Sequence, residues 1–388
     1  MCRRYCLFVF FSVFVVFNLW GTTREGGKGL MYVQSARVIN KGYLEFYGGT
    51  RFFGKVASFG TANRAYTLWN VQGFSSFNYG VSRHLEFAVS PIFYQDTNRG
   101  SGFSKEAVNF PDDLFLSIKL GSFGALESPF LFGGILYTRI PTARQHNIIY
   151  EPYSAGSVEV GVTGLASYFH NPIFPDAGWS IHANIGYLNH NDVGKNIAGD
   201  SLNLAPTPTS MSSELLFGLG LRYPAETFDF SVEINARYFL TQPPVSAYSR
   251  EYVSYLTTGI YYKPYPWVTF EMGIDLRFIS QEDLTDYTVT PRPKPQESFP
   301  NYPGWRGILG IKLAILPTSL YASPEEKLLK KKATDRRTIL ERMMKEQTTT
   351  KNAESELARI RAERKKAEEE LQRLRKLLEA EKKKKKEK

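Results

Sequence analysis

Between Gly42 and Leu316 apolar and polar side chains alternate in one segment of about ten residues after another, and this alternation restricts the fold more than any other feature. Phe228–Tyr238 shows the logic. Phe228, Phe230, Val232, Ile234, Ala236 and Tyr238 fall on one face of a strand, and Asp229, Ser231, Glu233, Asn235 and Arg237 on the other, because strand side chains repeat every two residues. Val268–Phe278, Asp113–Leu120 and Trp179–Tyr187 repeat the pattern. Eight further segments fit it less cleanly, at 42–54, 65–79, 84–94, 129–140, 156–169, 212–223, 251–263 and 304–316, which brings the count to about twelve, within about two. One face of each strand suits lipid or a core, and the other suits water.

The connections between these segments alternate as well. Short ones fall near 80–83, 121–128, 171–177, 224–227 and 264–266, and long ones near 55–64, 95–111, 141–155, 189–211, 241–250 and 281–303. Short turns at one end and longer loops at the other are the mark of a transmembrane barrel. The pattern predicts an all-β membrane protein, an antiparallel transmembrane β-barrel of about 12 strands over residues 42–317. A mean hydropathy of −0.29 does not oppose this, since only every other strand residue meets lipid. A secreted β-sandwich, which also alternates along its strands, is the other fold the pattern admits. Tyr79, Tyr223 and Tyr262 stand at short turns, where an interfacial aromatic girdle belongs.

The two ends of the chain differ from this middle. Arg3 and Arg4 precede an apolar run from Leu7 to Phe17, which reads as a secretory signal peptide over residues 1–21 and is short for a membrane helix. Cys2 and Cys6 both fall inside it, so the mature chain is expected to carry neither a disulfide nor a thiolate metal site. Residues 22–41 form a short N-terminal segment. Residues 318–388 form a charged tail whose part from Pro324 onward holds 23 Lys and Arg against 14 Asp and Glu, +9 of the formal +10. The basic balance therefore belongs to the tail, and a secreted chain is not expected to meet nucleic acid.

Ser323-Pro324-Glu325-Glu326 is a helix start, with a capping serine, proline at the first helical position and the S-x-x-E box. Leu357, Ile360, Arg364, Ala367, Leu371, Leu374 and Leu378 follow at 3-4 spacing, a coiled-coil seam that Arg364 and Ala367 weaken. The threonines within Gln347–Asn352 predict a break into two helices. Self-association and a solvated charged helix both fit the tail.

The last strand carries Trp305, Gly307, Leu309, Ile311, Leu313 and Ile315 on one face and Arg306, Gly310 and Lys312 on the other. It resembles the closing strand of bacterial outer-membrane β-barrel proteins. The layout of a barrel followed by an extension is similar to that of OmpA-type proteins, although the tail lacks the mixed α/β character of their C-terminal domain. The resemblance implies the bacterial outer membrane, outer-membrane lipid around the barrel, and both termini in the periplasm.

On this register the inner face collects Glu45, Glu86, Glu159, Glu214, Asp229, Glu233, Glu271 and Asp275 beside Arg51, Lys119, Arg139, Arg222, Arg237, Arg277, Arg306 and Lys312. Such a balanced set suits a polar channel for small solutes or a salt-bridged plug. The first reading makes the protein a porin- or transporter-like channel. The second makes it a structural barrel that tethers the membrane to peptidoglycan through the basic tail. No catalytic motif surrounds His84, His146, His170, His182 or His190, and none has metal-ligand spacing. No enzyme activity, cofactor or metal is expected. His182 faces the lumen, where a hydrogen-bonded structural role is expected. Gly26-Gly27-Lys28-Gly29 lacks the spacing and the Ser/Thr of a phosphate-binding loop.

Overall fold

In a computed structural model of the chain, twelve long strands close into an antiparallel barrel. The structure describes residues 26–318 and 324–386, apart from 60–63, 99–106, 126, 196, 198–206, 281 and 287–300. The signal-peptide segment 1–21 lies outside the described residues. The wall consists of β1 (Leu44–Phe59), β2 (Arg64–Gly80), β3 (Leu85–Asn98), β5 (Leu114–Phe123), β6 (Phe130–Ile140), β7 (Glu159–Phe169), β8 (Ser180–Asn189), β9 (Ser213–Pro224), β10 (Phe228–Thr241), β11 (Val253–Tyr265), β12 (Val268–Ser280) and β13 (Trp305–Leu316). A three-residue β4 (Ala107–Asn109) pairs with the end of β3. Each wall strand pairs with its sequence neighbour, and β1 pairs with β13 from Leu44↔Leu316 to Phe52↔Gly307, which removes the sheet edge.

Alternation along each strand becomes inside and outside. Ile234 is 40% exposed on the outer face while its neighbour Glu233 is 0% exposed inside. The outer face carries Phe230, Val232, Met272, Ile274, Leu309 and similar side chains, an apolar surface of the kind a bilayer requires. Tyr79, Tyr223 and Tyr262 are exposed beside the short turns.

One connection differs from its expected length. The stretch 55–64 is not a long loop: β1 runs to Phe59 and β2 begins at Arg64, and the two pair continuously from Leu44↔Tyr79 to Phe59↔Arg64. Cross-strand pairing carries the two strands past the point at which β13 stops pairing with β1, so a weak alternation over Lys55–Phe59 still makes strand.

The chain divides into two units, Met1–Tyr321 and Ala322–Lys388. In the second, α1 (Pro324–Lys386) is one unbroken helix. The expected break at Gln347–Asn352 is absent, and the helix accommodates the threonines with their hydroxyls bonded to its own carbonyls: Thr349 Oγ1 donates to those of Lys345 and Glu346, and Thr350 Oγ1 to that of Glu346. Leu357, Ile360, Leu371 and Leu374 are 52–57% exposed along α1, and the Leu378 side chain lies outside the described residues.

Candidate functional site

The inner face of the wall is short of volume in one sector. Gly218 and Gly220 on β9, Gly259 on β11 and Gly273 on β12 all point inward. The space they leave is taken by the N-terminal segment, in which Lys28–Ser35 forms a tight hairpin with Leu30 N donating to Val33 O (2.8 Å) and Ser35 N to Lys28 O (3.0 Å). A Cβ on Gly220 would lie 2.6 Å from the end of the Leu30 side chain, and one on Gly273 2.5 Å from the end of the Met31 side chain, so a larger residue at either position would force those side chains to shift. Leu30, Met31 and Val33 are 1–3% exposed in consequence. The glycines of Gly26-Gly27-Lys28-Gly29 serve this insertion: Gly26 and Gly27 adopt φ of +85° and +92°, and a Cβ on Gly26 would strike Ala88.

Most of the hairpin's wall-facing backbone polar groups are met by wall side chains. Glu233 accepts from the N–H groups of Met31, Tyr32 and Val33 at 2.9, 2.9 and 2.8 Å. Glu86 accepts from Lys28 N (3.0 Å) and Ile39 N (2.7 Å), and Lys119 Nζ donates to Lys28 O (2.6 Å). Asn184 accepts from Gln34 N and donates to Gln34 O, and Tyr32 OH donates to Asp275 (2.7 Å). A segment with no strand partner is thus kept hydrogen-bonded in a water-poor interior.

From the other end the β6–β7 loop (141–158) folds into the mouth. Arg51 Nη2 donates to both oxygens of Glu151 at 2.8 Å, and Asn70 and Gln72 also reach that carboxylate. Tyr150 packs on Phe53. Tyr153 stands edge-on to the His190 ring at 4.9 Å and donates to Asp192 (2.8 Å). At this rim His190 lies between Glu159 (3.1 Å) and Glu214 (3.2 Å). Burial opposes its charge, but the two carboxylates outweigh burial and push His190 up to about 9.

The sixteen inward charges divide by what they hold. Five acid–base pairs stand within the wall: Arg139–Glu159 (3.5 Å), Arg222–Asp229 (2.5 Å), Arg237–Glu214 (2.7 Å), Arg306–Asp275 (2.8 Å) and Lys312–Glu271. Glu86, Glu233 and Lys119 hold the hairpin. Arg51 holds the β6–β7 loop, and Arg277 holds the β12–β13 loop by donating to Tyr302 O (2.6 Å). Glu45 is buried on β1 near the short turns. Arg139, Arg237 and Arg277 are half-buried and the others buried. His182 is enclosed between Ser167 Oγ (2.8 Å) and Ser180 Oγ (3.1 Å).

Between hairpin and loop a cavity of about 150 Å³ remains. The hairpin contributes Met31, Tyr32, Val33 and Gln34, the loop contributes Pro152, and the wall contributes Arg51, Arg237 and Arg306 with Asn184, Asn235 and Tyr255. Among the described residues that line it, none is acidic.

Sequence reasoning found the charges but missed the hairpin and this chamber. The available signal was four glycines on inward strand positions, a notch that wall side chains do not fill.

No protein-family model matches the chain, and no curated protein sequence matches it. Among solved structures it is similar to an outer membrane channel from Pseudomonas putida F1, at 11% identity over 72% of this chain and 98% of that one, with a TM-score of 0.45. It is also similar to the translocator domain of the autotransporter NalP from Neisseria meningitidis (11% identity, 71% and 89% covered, TM-score 0.38) and to the toluene transporter TodX of P. putida (10%, 71% and 91%, TM-score 0.35). These are outer-membrane β-barrel proteins, the class that the strand pattern resembles.

Proposed function

We propose that this chain is a bacterial outer-membrane β-barrel that passes small solutes through a gated lumen, shut at rest by the N-terminal hairpin and the β6–β7 loop. The observation that carries the reading is the way the lumen is filled. Wall side chains suffice to fill a barrel of about eight strands, and a wider one leaves internal space for another segment or a solute. Here four wall glycines leave space for a separate segment held by hydrogen bonds, and a chamber remains beside it. Because these bonds come from side chains and not from the strand ladder, the segment can leave without unpairing the wall, and water that follows it in would replace the bonds it gives up. The short turns would face the periplasm, which puts the start of β1 and the end of β13 on that side.

A staple tests the gate. Val33 and Gly218 are neighbours across the hairpin–wall contact, with a Cβ on Gly218 3.2 Å from Val33. The double variant Val33→Cys, Gly218→Cys, made without Cys2 and Cys6, should block swelling of proteoliposomes in small solutes when oxidised and restore it when reduced. Equal swelling in both states would remove the hairpin from the transport path.

The second reading, a non-conducting barrel that tethers the membrane to peptidoglycan, draws on α1. Leu357, Ile360, Leu371 and Leu374 are exposed along this helix and fit self-association of the tail. Absence of swelling under both redox states would favour it.

A further inference from the structure

Two of the long loops, β10–β11 (242–252) and β12–β13 (281–304), meet outside the wall, with Asp286 N donating to Val245 O (2.7 Å). Between them lies a group of oxygens that the lumen pairs do not use. Asn301 stands at its centre and is fully buried. Asn301 Nδ2 faces three oxygens, Asp283 Oδ1 at 2.9 Å, Thr285 Oγ1 at 3.1 Å and Glu251 Oε2 at 3.3 Å. Thr285 gives its own hydroxyl proton to Ala247 O (2.9 Å), so toward Asn301 it only accepts. One amide has two N–H donors for these three acceptors.

Other oxygens of the group are not met at all. Asn301 Oδ1 and Glu251 Oε1 are buried with no hydrogen-bond partner among the described residues, as are Ser246 Oγ and Ser249 Oγ on the β10–β11 loop. Glu251 is 1% exposed, and a carboxylate at such depth is costly unless a cation or donors meet it. The adjacent base does not serve, since Arg250 donates to Leu284 O (3.1 Å) and to Gln242 Oε1 (3.1 Å). A half-turn of the Asn301 amide exchanges Nδ2 for Oδ1, and oxygens from four side chains then converge on one position.

We propose that Glu251, Asp283, Asn301 and Thr285 bind a calcium ion that ties the β10–β11 loop to the β12–β13 loop. The donor set selects the metal. Two carboxylates with neutral oxygens, and neither His nor Cys, suit a hard cation rather than zinc or copper. Among the described residues no three acidic, His or Cys side chains gather on one metal position, so neutral oxygens and water complete the shell. Calcium accepts such a mixed shell of roughly six to eight oxygens in flexible geometry, whereas magnesium demands a near-ideal octahedron. The ion would also steady the mouth, because Asn301 O accepts from Tyr150 N (2.7 Å) of the β6–β7 loop. None of this depends on whether the barrel conducts.

The test uses the full-length protein in detergent, stripped of metal by a chelator and then titrated with calcium chloride or magnesium chloride. Calcium should bind with a dissociation constant of about 0.1 to 1 mM, the range of extracellular calcium modules. At about 10 mM it should then shift the unfolding equilibrium roughly tenfold to a hundredfold, and it should slow exchange of the Tyr150 amide; magnesium should bind at least about tenfold more weakly. Glu251→Gln and Asp283→Asn keep the side-chain shapes and should each abolish the calcium shift. Glu251→Gln should leave the metal-free barrel no less stable, which separates loss of a ligand from damage to the fold. Glu282→Gln, at an exposed acid next in sequence to Asp283, should leave the calcium shift unchanged. A parent whose unfolding and Tyr150 exchange ignore calcium, or a calcium shift that survives in both Glu251→Gln and Asp283→Asn, would overturn the proposal. Equal loss of the shift in Glu282→Gln would do the same, because it would mark diffuse surface charge in place of a site.

Discussion

Glu233→Leu is the substitution that addresses the hairpin most directly. The carboxylate is fully buried in the wall and takes three backbone N–H donors, from Met31, Tyr32 and Val33, at 2.8–2.9 Å. Leucine leaves all three without an acceptor. An orphaned buried donor costs about 1 to 3 kcal/mol, and the low end applies because removal of the carboxylate also removes the cost of burying its charge. The sum is about 3 kcal/mol, which moves the hairpin's opening equilibrium by roughly a hundredfold. The wall itself keeps its ladder, since β10 pairs with β9 and β11 through backbone groups. Hydrogen exchange followed residue by residue in micelles reads this out. The amides of residues 31–33 should exchange about a hundredfold faster than in the parent, while β10 amides keep their protection. Unchanged protection at 31–33 in a folded barrel would refute the claim that Glu233 latches the hairpin.

Three other outcomes follow from the same structure. Ile234→Arg should destabilise the barrel by about 2 to 4 kcal/mol in denaturant unfolding, as a cation near mid-strand on the lipid face does, while Ile234→Ala stays mild; equal effects would show that this face does not meet lipid. His190 is held up to about 9 from 6.5, so its contribution of about 3 kcal/mol is complete below pH 6.5, declines as pH rises, and is gone above about 9; His190→Gln should flatten this loss, and a parent whose stability does not fall between those pH values would contradict the Glu159–His190–Glu214 bridge. The isolated 324–388 peptide should gain helicity with concentration, and Leu371→Asp with Leu374→Asp should abolish the gain, because association covers leucines that are exposed in the single helix; a monomer by sedimentation at every concentration would leave a solvated helix.

The strands are legible in the sequence because lipid and lumen impose opposite demands on neighbouring residues. Phe228–Tyr238 and Val268–Phe278 declare themselves within two or three residues of β10 and β12. The same two-residue period is enough to place Glu233 and Asp275 on the inner face, where both are buried. What those charges touch is not legible. The hairpin has no period of its own, since its backbone bonds go to Glu233, Glu86 and Asn184 at sequence separations of 58 to 202 residues. Gly218, Gly220, Gly259 and Gly273 record its presence only as missing volume. The β1–β2 extension is hidden for a different reason: pairing between two strands, rather than alternation within one, makes Lys55–Phe59 strand. In α1 the threonines at 349 and 350 read as breakers by composition, but their hydroxyls bond to carbonyls one turn back and the helix continues.

Single-channel recording in planar bilayers tests the gated lumen most directly, with three proteins compared: the full-length chain, the same chain without residues 26–37, and the chain without both 26–37 and 144–154. The account predicts rare, small openings for the first, larger and longer ones for the second, and a stable open level for the third. Three indistinguishable traces, whether all silent or all open, would contradict it.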